Sequence, residues 1–304
     1  MKNILIIGSI AVDYLELPDG TKGECIGGSA TYFTLASGRF GPVNVVGIVG
    51  TDFPEEGHKL FKKHAANLDD LKIEEGKTFR WGGRYHNDWE HRTTLYTELG
   101  VFESFRPELS PENKQCGLVC LGNIHPALQL EVIDQIENSE SLIICDTMNL
   151  WIETTHDLLV KVIEKVDILL VNETESFLLT GEKDIESAAS AILKMGPDVV
   201  VIKLGSKGAV LTGQKEKINV DVYPIERVVD PTGAGDAFFG GFAGELSNGG
   251  TMESALLAGS ATASFCVEGF GTSGMLTISR EDISERIEVI KGKSPLLEEG
   301  AGSS

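Results

Sequence analysis

Asp230-Pro231-Thr232-Gly233-Ala234-Gly235-Asp236-Ala237-Phe238-Phe239-Gly240-Gly241-Phe242 begins as a tight, glycine-rich loop and continues as a closely packed helix. Phe238, Phe242 and Leu246 fall at helical spacing with Gly240, Gly241 and Gly244 between them, and Asn248-Gly249-Gly250 supplies a stop signal. Gly233 to Asp236 therefore sit where a loop becomes a helix. The first N–H groups of a helix have no partner within it, and that end of the dipole is positive, so an anion binds there readily. Asp236 adds a carboxylate at the same place. An anion hole beside a general base is what phosphoryl transfer to a hydroxyl requires. On spacing alone, the same residues read equally well as a helix N-cap with glycines for its turn.

Outward from this stretch, short apolar runs alternate with helical periods. Ile4–Ile7, Val43–Val49, Leu118–Leu121, Leu142–Cys145, Ile168–Val171 and Val199–Lys203 read as buried strands; Ala127–Glu137, Thr155–Lys165, Glu173–Leu179 and Ile185–Lys194 read as helices. Repeated βα units of this length predict an α/β fold: a doubly wound, mainly parallel sheet with helices on both faces. Ligands then bind at the C-terminal ends of the strands, where Asp146 and Asn149, Asn172 and Glu175, and Lys203 to Gly208 fall. Gly27-Gly28 opens a further helix reaching about Gly38, and Asp52 to Ala66 reads as another.

Two segments, about 14–26 and 71–101, break the alternation. From Thr78 to His86, Phe79, Trp81 and Tyr85 fall on one face and Arg80, Arg84 and His86 on the other, and Arg92 to Leu99 runs back. This is an antiparallel pair inserted into a βα chain, predicting one domain over 1–297 with a small β appendage. The tail, 298–304, reads as disordered.

The chain has 304 residues, of which 41% are hydrophobic, enough for a large core. Lys and Arg number 26 against 46 Asp and Glu, a formal charge of −20, which makes nucleic acid and anionic membranes poor partners. A nucleotide triphosphate is also repelled at long range, so a site for one must be built from local donors. Cys25, Cys116, Cys120, Cys145 and Cys266 include no Cys-x-x-Cys, and an odd count in a long chain suggests a reducing compartment. The N-terminal apolar run is too short for a signal segment, and no run approaches the ~20 residues of a membrane span. A cytoplasmic location is expected.

Asp230-x-Thr232-Gly233-Ala234-Gly235-Asp236-Ala237-Phe238 closely resembles the C-terminal signature of the ribokinase-like (PfkB) family of small-molecule kinases. The resemblance implies that Asp236 deprotonates the acceptor hydroxyl and that the N–H groups of Gly233, Ala234 and Gly235 stabilise charge on the transferred phosphoryl. It carries a substrate-hydroxyl role to Asp13 and an acceptor contact to Gly27 and Gly28. Four positions after Gly28, where the family usually has Asn, this chain has Tyr32. Asn172-Glu173-Thr174-Glu175 matches the family's Asn-x-x-Glu motif, implying a nucleotide contact at Asn172 and Mg²⁺ held by Glu175 through water. A helix cap is the other reading of that pair. The resemblance also places Gly205 and Gly208 near the nucleotide phosphates with Lys203 as a cation. It implies ATP and Mg²⁺ as cofactors and a monovalent cation such as K⁺ at Asp230 beside the 269–274 loop. Segments 14–26 and 71–101 resemble the family's β lid, which covers the acceptor and in some members pairs two subunits, so a homodimer through the lid is implied.

No Walker A sequence occurs, and Gly269-x-Gly271-x-x-Gly274 follows a helix instead of a strand, which argues against a dinucleotide site. A ligand sensor on the same fold would not need the base, and Asp236 is present. The acceptor is expected to be a nucleoside, because Tyr32, Phe79, Trp81 and Tyr85 offer ring faces for a base. A carbohydrate kinase acting on ribose, fructose or a keto sugar acid is the alternative.

Overall fold

The computed structural model describes residues 2–87, 89 and 91–293; the tail expected at 298–304 lies outside them. In chain order the elements are β1 (Ile4–Ile7), β2 (Ala11–Glu16), β3 (Lys22–Gly27), α1 (Ser29–Ser37), β4 (Val43–Gly50), α2 (Glu55–His64), β5 (Leu71–Glu74), β6 (Phe79–Tyr85) and β7 (Arg92–Glu98). They continue through β8 (Leu118–Leu121), α3 (Pro126–Ile133), β9 (Leu142–Asp146), α4 (Asn149–Thr154), α5 (His156–Ile163), β10 (Ile168–Asn172), α6 (Glu173–Thr180), α7 (Ile185–Leu193) and β11 (Val199–Lys203). The chain closes with β12 (Ala209–Gly213), β13 (Lys217–Val220), α8 (Ala234–Ser247), α9 (Met252–Cys266) and α10 (Arg280–Lys293).

A nine-stranded sheet runs β13-β12-β11-β10-β9-β8-β1-β4-β5, parallel from β11 to β5, with β12 and β13 antiparallel at one edge. Residues of either parity along each central strand feed different cores. Ile4, Ile6, Val45, Cys120, Ile168 and Val201 pack with α1, α8 and α9; Leu5, Ile7, Val119, Leu169 and Val200 pack with α3, α5 and α7. Burial on both faces is why these strands are continuous apolar runs. α8 lies against α1 and α9 so closely that a methyl group at Gly240 would meet the Phe33 backbone and one at Gly241 would meet Thr262. Phe33 and Phe239 meet edge to face at 4.9 Å, a contact worth about 0.5–1.5 kcal/mol.

A second sheet, β3-β2-β6-β7, stands apart from the first. Its inner side gathers Leu15, Leu17, Tyr85, Trp81 and Cys25. The appendage boundaries read from the sequence need correction. Leu71–Glu74 pairs parallel with β4 in the large sheet, and β2 begins at Ala11. Phe79 does not join Trp81 and Tyr85: it stacks on Phe102 at 5.7 Å. Pro54 delays the start of α2 to Glu55, leaving Asp52 to accept from Thr78. The single helix expected at Thr155–Lys165 is preceded by a separate α4, the two divided at Thr155. All five cysteines are free, and four are buried. No described helix is long and apolar enough to cross a membrane.

Candidate active site

The C-terminal ends of β9, β10 and β11 bring Asp146, Glu175 and Lys203 to the first turn of α8. Gly233 is the N-cap of that helix, at φ +76°, a left-handed conformation that favours glycine. The same position faces the Tyr32 ring, which a methyl group at 233 would overlap. Ala234 N–H donates to the Pro231 carbonyl at 3.2 Å, whereas the N–H groups of Gly235 and Asp236 have no backbone partner among the described residues. The loop before them is braced by buried Asp230, whose Oδ1 accepts from Thr232 N–H and Oδ2 from Gly271 N–H.

Lys203 Nζ donates to both carboxylate oxygens of Asp146, at 2.9 and 3.1 Å, and lies 3.3 Å from where a side chain at Gly235 would begin. Burial works against the Lys203 ammonium, yet Asp146, Glu175 and Asp236 together hold its pKa above the ordinary range. Burial pushes Asp236 up to about 7, with Asp146 and Glu175 adding to the shift and Lys203 and Arg92 opposing it. Glu175 is likewise raised to about 7, chiefly by burial. The site is thus a set of crowded acids around one ammonium, with unpaired helix N–H groups facing the same space.

Asp13, on β2, is 4% exposed. Its carboxylate lies over Gly27, where any side chain would collide with it, and the backbone N–H of Gly28, the N-cap of α1, opposes the effect of its burial. Burial raises it to about 7, with Asp236 adding to the shift. Asp13 pairs in register with Trp81 on β6. The Trp81 indole lies over Gly83, with the Arg92 guanidinium 5.3 Å above the ring.

Several residues differ from the sequence reading. Tyr32 offers no ring face to an acceptor: it is 1% exposed, lies against Gly233, and its hydroxyl has no hydrogen-bond partner. Asn172 and Glu175 form a reciprocal capping box, Asn172 Oδ1 accepting from Glu175 N–H and Glu175 Oε2 from Asn172 N–H, both at 2.8 Å. The cap reading is therefore realised, and one Glu175 oxygen remains for another role. Gly205 lies in an open turn closed by Leu204 N–H donating to Gly208 O. Arg92 is absent from the sequence candidates, yet its charge is felt by Asp13, Glu175 and Asp236. Its one available signal was its position opposite Tyr85 across the hairpin. Asp146 stood among the strand-end candidates, but its hold on Lys203 was not foreseen. Among the described residues, no group of three or more His, Cys, Asp or Glu could by itself hold a metal ion.

A family model described as pfkB family carbohydrate kinase matches residues 1–278. A cytidine kinase of Thermococcus kodakarensis is 29% identical over 85% of this chain and 94% of its own length. Among solved structures, the nucleoside kinase of Methanocaldococcus jannaschii superposes with a TM-score of 0.77 at 24% identity, covering 95% of this chain and 99% of the other. A putative ribokinase II of E. coli, in complex with ATP and Mg²⁺, reaches a TM-score of 0.81 at 20% identity, covering 95% and 100%.

Proposed function

The chain belongs to the pfkB family of carbohydrate kinases, phosphotransferases acting on hydroxyl groups, and from that premise we propose a nucleoside kinase that uses ATP and Mg²⁺. The carrying observation is the first turn of α8: the Asp236 carboxylate, two N–H groups without backbone partners, and the Lys203 ammonium meet there.

Asp236 takes the proton of the acceptor hydroxyl as that oxygen attacks the γ-phosphorus of ATP, the bond from that phosphorus to the β–γ bridging oxygen breaks, and ADP leaves with the electron pair. A base titrating near neutrality suits this task. The N–H groups at the α8 terminus and Lys203 stabilise the negative charge on the phosphoryl oxygens in transit. Asp146 holds Lys203 in place, and Arg92 brings a second cation from the small sheet. Asp13 orients the acceptor by accepting its hydroxyls, while Gly27 and Gly28 let the acceptor approach the backbone. Asn172 Nδ2 and the Gly205–Gly208 turn border the nucleotide.

The donor set fits Mg²⁺ that arrives on the nucleotide. Such an ion keeps several waters and needs only one or two protein carboxylates, and the oxygen of Glu175 outside the capping box serves. Bound there, Mg²⁺ neutralises phosphate charge. A monovalent cation at Asp230 would share the carboxylate with the Thr232 and Gly271 N–H donors; turnover in K⁺ against choline tests that role.

The small sheet is the acceptor's lid, and its outer edge is the surface for a homodimer. Support for a nucleoside comes from the Trp81 indole beside Asp13 and from the similarity to a cytidine kinase; Tyr32 no longer contributes. The test is an ADP-release assay with cytidine, adenosine, guanosine and inosine beside ribose, fructose and 2-keto-3-deoxygluconate. A nucleoside with the highest kcat/KM supports the proposal. A free sugar above every nucleoside replaces it with the carbohydrate kinase reading.

A further inference from the structure

The small sheet touches the loop before α8 at a buried point and an exposed one. At the exposed point, Asp19 in the β2–β3 turn pairs with Arg227 at 2.7 Å. At the buried point, the Tyr85 hydroxyl on β6 and Thr232 Oγ1 form a hydrogen bond of 3.0 Å between residues 6% and 7% exposed. Thr232 immediately precedes Gly233, and its N–H is held by Asp230, which also holds Gly271. The Tyr85 ring is packed with Leu15 and Leu17, so the hydroxyl moves with the sheet as a whole. Parting the two hydroxyls would leave the buried Thr232 hydroxyl without this partner and Tyr85 with Arg92 alone. The bond therefore favours one relative placement of the sheet and the loop.

We propose that Tyr85 is a positioning residue: through Thr232 it ties the sheet over the acceptor to the loop that builds the anion hole, so that ordering either one orders the other. This rests on the reading of α8 as the phosphate end of a kinase site. Energetically it is a coupling between two sites carried by one identified contact. Nucleotide binding at the α8 terminus stiffens Thr232 and holds the sheet down. Loss of the bond leaves each site intact and uncouples them.

Hydrogen exchange on the full chain tests this with MgADP as probe, so no acceptor need be known. In the wild type, MgADP should slow exchange at 203–208 and also across 79–98. Tyr85→Phe should keep the protection at 203–208 and lose it across 79–98, and basal exchange there should rise about three- to tenfold, the factor one hydrogen bond is worth. Thr232→Val should do the same, the double variant should add nothing to either single change, and Thr232→Ser should restore wild-type behaviour. Unchanged exchange in β8 to β10 reports that each variant is folded. Protection of 79–98 that is absent from the wild type, or undiminished in Tyr85→Phe and Thr232→Val, overturns the inference. Absence of protection at 203–208 in the wild type overturns the kinase reading and the inference with it.

Discussion

The Tyr32 ring lies directly against Gly233, so α1 sets the position of the loop that ends in the α8 N-cap. The residue that stands where the family usually has Asn is buried beneath the loop that enters α8. Gly233→Ala would force both a methyl group into the ring and a side chain into a left-handed backbone, costing about 1–3 kcal/mol. Thermal melts should show that loss together with a fall in kcat. Tyr32→Phe removes only an unpaired hydroxyl and should leave acceptor KM unchanged; a several-fold rise in KM would return Tyr32 to the acceptor site.

Asp236→Asn should lower kcat by about 10²–10⁴ while the protein still binds ATP. Near-normal turnover removes Asp236 from the chemistry.

The same variant should be more stable than the wild type in alkaline buffer. The folded pKa of Asp236 is raised from 3.8 to about 7. The folded state therefore binds the proton more tightly than the unfolded chain does. Its stabilising contribution is complete below pH 3.8 and is lost as pH rises through about 7. Asp236 is only half-buried by surface area, so water screens part of the effect. The advantage of Asn at pH 8 should be about 1–2 kcal/mol, shrinking towards pH 5. Denaturant melts at the two pH values measure it, and an equal difference at both would show that the carboxyl is not perturbed.

Deprotonation of the base should appear as a rise in kcat/KM through about pH 7 in the free enzyme. Arg92 opposes the upward shift of Asp236, so Arg92→Ala should move that limb to higher pH as well as lowering the plateau. A lower plateau with an unmoved limb would place Arg92 away from Asp236.

Glu175→Gln preserves the acceptor half of the capping box and removes the charge. It should raise the Mg²⁺ concentration needed for half-maximal rate far more than it changes acceptor KM. The reverse pattern would make Glu175 an acceptor-site or purely structural residue.

The parallel strands were legible because burial on both faces leaves a continuous apolar signature, and the α8 entry was legible because few sequences bring glycines and two aspartates together in that order. The burial of Tyr32 is not legible in the sequence for a physical reason: every residue of α1 is buried, so no polar face distinguishes a side chain aimed at a ligand from one aimed at the core. Leu71–Glu74 is too short to reveal which sheet it joins. Arg92 and the Tyr85–Thr232 bond depend on register within the small sheet and on a contact spanning 147 positions, and no local pattern encodes either. Asn172 and Glu175 were found because cap and ligand use the same spacing, which is also why spacing could not tell them apart.

The seating of α8 on α1 has a consequence for biosynthesis. Phe33 and Ala36 are emerging from the ribosome long before Phe239 and Gly240, their partners, have been translated. At about 5–20 residues per second, the interval is roughly ten to forty seconds. Throughout it the apolar side of α1 is uncovered, and one face of the young sheet with it. A chain released before Ala234 lacks α8 and so has no partner for this surface. Premature termination products should therefore expose this apolar surface and aggregate readily.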